Sequence, residues 1–324
     1  MFLRPFLSNQ PLVLVLLLPV MALFIGLNLT FHYHLPTETI SLGLLGKIAA
    51  FPVWLSVSLS AVFIFSNAIF LNFLFNKHDF LEKNSYAPSL FYVVFMTFSQ
   101  SFYNFDTLLV IHFLLLCIFR LIFLLENGER NGTHIYNIAL LFGIIVVLLP
   151  QAVALLPFLW LTVRMNKVIS IKEFILLLLG TSLIVFNGLM FWWFSGHPIG
   201  IRILRDANHV KYEQMVLIAS GSVLLIYLLL SSIGVRIRLQ KSSIRFKKIS
   251  RSLLVMVIAT LSFGAAELIF YQQVEWFNLV FVPVGFLFTF AFISSFWKQV
   301  ASGFFYLTFL LAVIKFFIHA GWFN

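Results

Sequence analysis

Apolar residues run in long blocks along this chain, broken by short polar or proline-marked steps, and between Tyr86 and Met165 the blocks shorten and pair. One pair rises from Ala87-Pro88 to Met96, turns through Gln100-Ser101-Phe102-Tyr103-Asn104-Phe105-Asp106, and returns from Leu108 to Leu125. The next runs from Asn137 through Gly143 to Leu149, turns at Pro150-Gln151, and returns through Pro157 and Trp160 to Arg164. Proline in a first turn and polar residues between apolar runs are helix start and stop signals, so each pair predicts a helical hairpin. Arms of roughly 14 to 18 residues rise about 21 to 27 Å, short of a hydrocarbon layer of about 30 Å. The tips therefore fall near or inside the bilayer face, where irregular backbone survives only if it is packed in protein or lines a wet cavity. Asn104, Asp106 and Gln151 are on that ground the first places to look for a site.

Over the whole chain the same pattern predicts an all-α, polytopic integral membrane protein with about 11 transmembrane helices, two of its hairpins being short. The segments fall near 11–29, 48–75, 87–101, 108–125, 137–149, 151–163, 173–194, 215–234, 252–270, 277–297 and 303–320. With 61% hydrophobic residues, 10% charged residues and a mean hydropathy of +1.03, a soluble fold is excluded. We read residues 1–324 as a single transmembrane domain, with one helical half over 1–195 and a C-terminal bundle over 196–324. The first apolar run lacks a small-residue cleavage site and predicts a retained span. A single cysteine, Cys117, excludes a disulfide framework and a thiolate metal site, and no cofactor is expected.

Charge then sets the expected orientation. If the N-terminus is cytoplasmic, the predicted inner side holds 16 of the 21 Lys and Arg, and the outer side keeps Lys47, Arg202, Arg205, Lys211 and Lys315. Inner loops concentrate basic residues, so an N-in, C-out topology is predicted. The run Arg236 to Arg251 carries seven of those cations and no acid; it reads as a solvated loop facing anionic lipid. Nucleic acid is not expected as a partner, since no accompanying fold is present.

Two outer loops hold candidate chemistry. Thr30 to Lys47 contains His32, His34 and Glu38, a set too small to complete a metal site by itself. Ser195 to Gln214 contains Arg202, Arg205 and Lys211 among Asp206 and Glu213, so the cations either bind an anionic headgroup or phosphate or pair internally. Within the spans, His112, Glu267, Lys315 and His319 are the titratable groups; Glu267 and Lys315 are expected to snorkel or pair, and His112 to bond a neighbouring helix.

The order and texture of the twin hairpins resemble the membrane glycosyltransferases of the C superfamily. Pro88, Asp106 and Arg120 match that family's first unit, and Gly143 with Pro150-Gln151 occupies the second. The resemblance covers residues 1–195 as architecture and implies a polyprenyl-phosphate-linked sugar used at the outer face of a bacterial inner membrane. It implies Glu38 and Asp106 as the catalytic carboxylates, with Arg202, Arg205, Lys211, His32, His34 and Gln151 binding substrate. The chain departs from the family in having Glu38 alone in a short first loop, no basic residue at the second turn, and no large soluble domain. In Phe, Ile and Asn usage it is also similar to an uncharacterised polytopic membrane family of Bacteroidota, which implies no reaction. Two readings follow: a lipid-linked sugar transferase, or a non-catalytic scaffold or subunit of a cell-envelope complex.

Overall fold

The computed structural model describes residues 3–34, 37–125, 131–167, 170–196, 210–240, 242–271, 276–292 and 295–320. A short α1 (Leu3–Phe6) precedes a 3-10 turn that runs into α2 (Leu17–Phe31). A two-stranded antiparallel ribbon follows, β1 (Thr39–Ser41) on β2 (Lys47–Ala49), with Ile40 opposite Ile48. The remainder is helical: α3 (Val53–Lys77), α4 (Ala87–Met96), α5 (Thr107–Phe123), α6 (Gly132–Leu148), α7 (Leu156–Asn166), α8 (Ile171–Ser195), α9 (Val210–Gln240), α10 (Ile244–Tyr271), α11 (Phe281–Phe288) and α12 (Ser295–His319). The ribbon corrects one boundary, because the span expected from 48 starts as strand and becomes helix only at Val53.

The protein is all-α in class, and among the described residues six helices are long and apolar enough to cross a membrane. They are Pro11–Phe31, Val53–Lys77, Ile171–Ser195, Gly221–Gln240, Ile244–Phe270 and Lys298–His319. The other predicted segments form shorter helices, of which α4 and the stretch 277–292 pack inside the bundle while α5, α6 and α7 keep exposed sides. Every residue of α4 is buried, and the stretch 277–292 is a 3-10 turn, the short α11 and a second 3-10 turn, with Leu279 to Phe292 enclosed. At 1.5 Å per residue α4 rises about 15 Å, half a bilayer, which is tolerable because protein surrounds it on all sides.

Local sequence explains the starts and stops. Pro88 and Pro157 sit in first turns, where their missing N–H is no loss. Asp106 caps α5 by accepting from Leu109 N at 3.3 Å, and Ser170 with Glu173 forms a reciprocal capping box on α8. The α6 and α8 helices approach closely through Gly143, Gly180 and Gly188; a Cβ on Gly180 would lie 2.7 Å from Ala139 Cβ. The two halves interlock, since Phe91 and Phe95 of α4 stack edgewise or tilted on Phe288 of α11.

Polar contacts sort the helix ends onto two faces. At one, Arg238 reaches Glu82 at 2.9 Å, Arg245 donates to the Phe123 carbonyl at 3.2 Å, and Lys248 donates to the Asn166 carbonyl at 3.2 Å. The basic run expected as a loop is therefore the end of α9 and the start of α10, with 241–243 between them. Three of its cations are already committed to neighbours. The opposite face carries the ribbon and both hairpin tips.

Candidate functional site

At that opposite face the two tips and the ribbon enclose a cleft. Its wall comes from Thr37 to Gly43, from Gln100 to Ile111, and from Leu148 to Gln151. Asn104, Asp106 and Gln151, picked out in sequence as non-helical residues at membrane depth, all line it.

The first tip is fastened from three sides. From α3, Ser60 donates to the carbonyls of Ser101 and Phe102 at 2.6 and 2.9 Å, and Ser56 Oγ accepts from Phe105 N at 2.9 Å. From the turn before α11, Asn278 donates to Ser99 Oγ at 2.6 Å. From α12, the buried Lys315 donates to the Thr97 carbonyl and to Tyr103 Oη at 3.2 Å. Its ammonium lies about 5 Å from the rings of Tyr33, Phe98, Tyr103 and Phe316. This corrects the expected snorkelling or pairing with Glu267: among the described residues Lys315 is in no ion pair, and carbonyl, hydroxyl and aromatic faces solvate it. Glu267 is itself buried on α10.

Within the cleft, Asp106 is the one charged residue among the described lining. Its Oδ2 accepts from Ser101 Oγ at 2.6 Å while Oδ1 caps α5, so the carboxylate is oriented by its own tip. Around it stand hydroxyls and amides: Thr37, Thr39, Ser41, Gln100, Asn104, Thr107 and Gln151. Thr107 donates to the Ser41 carbonyl and so ties the ribbon to α5. Gln151 Oε1 is buried there with no hydrogen-bond partner among the described residues. The cavity is about 90 Å³, room for about three waters at ~30 Å³ each and well below the ~300 Å³ at which ligand pockets begin.

The other predicted residues fall elsewhere. Glu38 is exposed and does not line the cleft, although its neighbours Thr37 and Thr39 do; its carbonyl accepts from Ala50 N at 2.9 Å and closes the ribbon. His32 ends α2 in the left-handed region (φ 50) with its side chain exposed. His34 exchanges backbone hydrogen bonds with the Asn28 side chain at 2.8 and 3.2 Å and stacks on Tyr103 at 5.0 Å, on the Lys315 side of the tip. Arg202 and Arg205 lie outside the described residues, and Lys211 is on α9 with its side chain outside them. Among the described residues no cluster of three His, Cys, Asp or Glu could hold a metal.

Sequence reading passed over a polar centre between α3, α4 and α5. Tyr92 Oη and His112 Nδ1 lie 2.8 Å apart, and Asn67 Nδ2 donates to the Leu109 carbonyl at 3.1 Å and to Tyr92 Oη at 3.4 Å. His112 does bond a neighbouring helix, as expected. The Asn67 and Tyr92 partners carried no signal, because single polar residues in apolar runs do not reveal which face they occupy. Compared with known proteins, the chain matches no family model, no curated protein and no solved structure.

Proposed function

We propose that this is a multi-pass protein of the bacterial cytoplasmic membrane, N-in and C-out with eleven membrane-embedded segments, that takes the sugar of a polyprenyl-phosphate-linked donor at the cleft on its outer face. The observation that carries the reading is the cleft wall: among the described residues, neutral hydroxyls and amides from the ribbon and both hairpin tips, one oriented carboxylate, and a buried Gln151 oxygen without a donor. Sugar hydroxyls supply such donors, and an unmatched buried acceptor costs about 1 to 3 kcal/mol. In this reading Asp106 is the general base toward an acceptor hydroxyl, and the cations Arg202, Arg205 and Lys211 take the phosphate. The small cavity admits one hydroxyl-bearing edge of the sugar, the rest lying at the mouth. Anionic lipid meets the basic face at 236–251.

The test pairs Asp106→Asn with Gln151→Leu in a transfer assay on purified protein with a polyprenyl-phosphate sugar. Asn caps a helix about as well as Asp, so folding holds while a lost general base costs about 10²- to 10⁴-fold in rate. Unchanged rates, together with unchanged lipid-linked sugar pools in a deletion strain, would sink the proposal. A second reading, a non-catalytic scaffold or subunit of a cell-envelope assembly, is favoured by one observation: Asp106 is already engaged by Ser101 and Leu109. Under it, Asp106→Asn changes neither the sugar pools nor the melting temperature, and the deletion strain loses an assembly instead.

A further inference from the structure

A second cavity of about 640 Å³ lies at the basic end of the bundle, between the turn that opens the first span, the last turns of α3 and residues 84–86. From α3 come Ile69, Asn72, Phe73, Asn76 and Lys77, at the i, i+3, i+4, i+7, i+8 spacing that puts them on one stripe. Leu14 faces them from the first span, and Asn84 and Tyr86 close the end. The stripe is graded. Lys77 is outermost and exposed, with its ammonium 5.5 Å from the Phe73 ring centroid and, among the described residues, in no ion pair. Next come the amides, and then the apolar Ile69, which with Phe73 opens the groove sideways: Phe73 is 52% and Ile69 36% exposed.

Asn72 is the informative residue. It is 2% exposed and lines the groove, yet its Oδ1 has no hydrogen-bond partner among the described residues. Asn76, by contrast, is used: its Oδ1 accepts from Ser85 N at 3.0 Å. An amide that is not fully satisfied at hydrocarbon depth is costly, and Asn72 carries one into the lining of a lateral groove. Five residues separate Asn72 from Lys77, about 7.5 Å of helix rise. Cation, amide and apolar wall thus succeed one another in the order phosphate, glycerol region and acyl chain of a lipid standing in the adjacent leaflet.

We propose that this groove holds one anionic glycerophospholipid, with its phosphate at Lys77 and Asn84, an ester carbonyl accepting from the Asn72 amide N–H, and an acyl chain along Phe73, Ile69 and Leu14. Charge complementarity selects the occupant, since Lys77 is the cation of the lining and is in no ion pair among the described residues, and an anionic inner leaflet is drawn to a basic face. The site is separate from the cleft and stands whether or not the cleft binds a sugar.

The test uses the full chain, purified in detergent and supplied with phosphatidylglycerol or phosphatidylcholine, with bound lipid per chain read by native mass spectrometry. One tightly held phosphatidylglycerol is expected, in preference to phosphatidylcholine. Lys77→Gln should lower its retention about 5-fold, the worth of one lysine near an anionic surface. Asn72→Leu should lower it too, and Arg236→Gln, also exposed at this end, should leave it unchanged. Equal retention of the two lipids, no effect of Lys77→Gln, or an equal loss in Arg236→Gln would overturn the proposal. So would displacement of phosphatidylglycerol by equimolar polyprenyl phosphate. Should Asn72→Leu fail to fold, the two surface variants decide.

Discussion

Lys315 of α12 donates to Tyr103 Oη at 3.2 Å across 212 residues of chain, from inside a box of four aromatic rings. The same ammonium takes the carbonyl of Thr97, where α4 ends, so a cation stands at a helix C-terminus as the macrodipole favours. Lys315→Met keeps the stem among the rings and removes the donor, and should cost about 1 to 3 kcal/mol. Lys315→Ala loses the packing as well, and should cost at least about 2 kcal/mol more. Denaturant unfolding in detergent measures both; equal losses would show that the stem contributes nothing.

Tyr92 and His112 form the other internal tie, joining α4 to α5 through a 2.8 Å contact. Both are fully or almost fully buried. Tyr92→Phe leaves His112 Nδ1 and an Asn67 N–H short of a partner, an expected loss of about 1 to 3 kcal/mol. His112→Phe alone leaves the Tyr92 O–H without its acceptor, while Asn67 Nδ2 still donates to the oxygen. In a double-mutant cycle the pair should couple by about 0.5 to 3 kcal/mol, and additive losses would mean that the contact is incidental.

Gly43 and Gly196 allow a controlled comparison. Both have positive φ, 63 and 64, but a Cβ on Gly43 would press on the backbone of Val147 and Leu148, whereas among the described residues nothing lies within 4 Å of one on Gly196. Gly196→Ala should therefore show only the left-handed backbone cost, about 1 to 2 kcal/mol. Gly43→Ala should cost clearly more in thermal unfolding and should weaken the sugar binding proposed above, because Gly43 and Leu148 both wall the cleft. Equal losses for the two variants would mean that the ribbon shifts freely off the second hairpin.

Much of this was legible in the chain, and the failures share one cause. Apolar blocks marked the helices, and the demand that irregular backbone at depth be enclosed brought Asn104, Asp106 and Gln151 to one cleft. Hydropathy cannot separate a helix bathed in lipid from one wrapped in protein, so α4 and the broken stretch 277–292 read as spans like any other. The same blindness hid Lys315: its partners are distant in sequence, and a lone lysine near a helix end looks like a snorkelling one. Glu38 was chosen for its charge, but it stays exposed just before the ribbon while Thr37 and Thr39 on either side of it line the cleft. The basic run lost its loop because the cations at 238, 245 and 248 find acceptors that hold the two helix ends in place.

His78, just past the end of α3, sits edge-on to Phe123 with ring centroids 5.1 Å apart. Burial, then the charges of Arg245 and Lys77, lowers its pKa from 6.5 to about 4, with Asp79 opposing. A folded value below the unfolded one means that the unfolded chain takes up the proton first as pH falls. The contribution to stability is thus complete above about pH 6.5, declines as the pH drops toward about 4, and is fully lost below that. His78→Asn should flatten the melting temperature over this window while leaving it little changed at pH 7.5. Asp79 and Glu82 at the same end are common to both proteins. The difference between the two melting curves isolates the imidazole, and parallel curves from pH 7 to 4 would show that His78 is as easily protonated folded as unfolded.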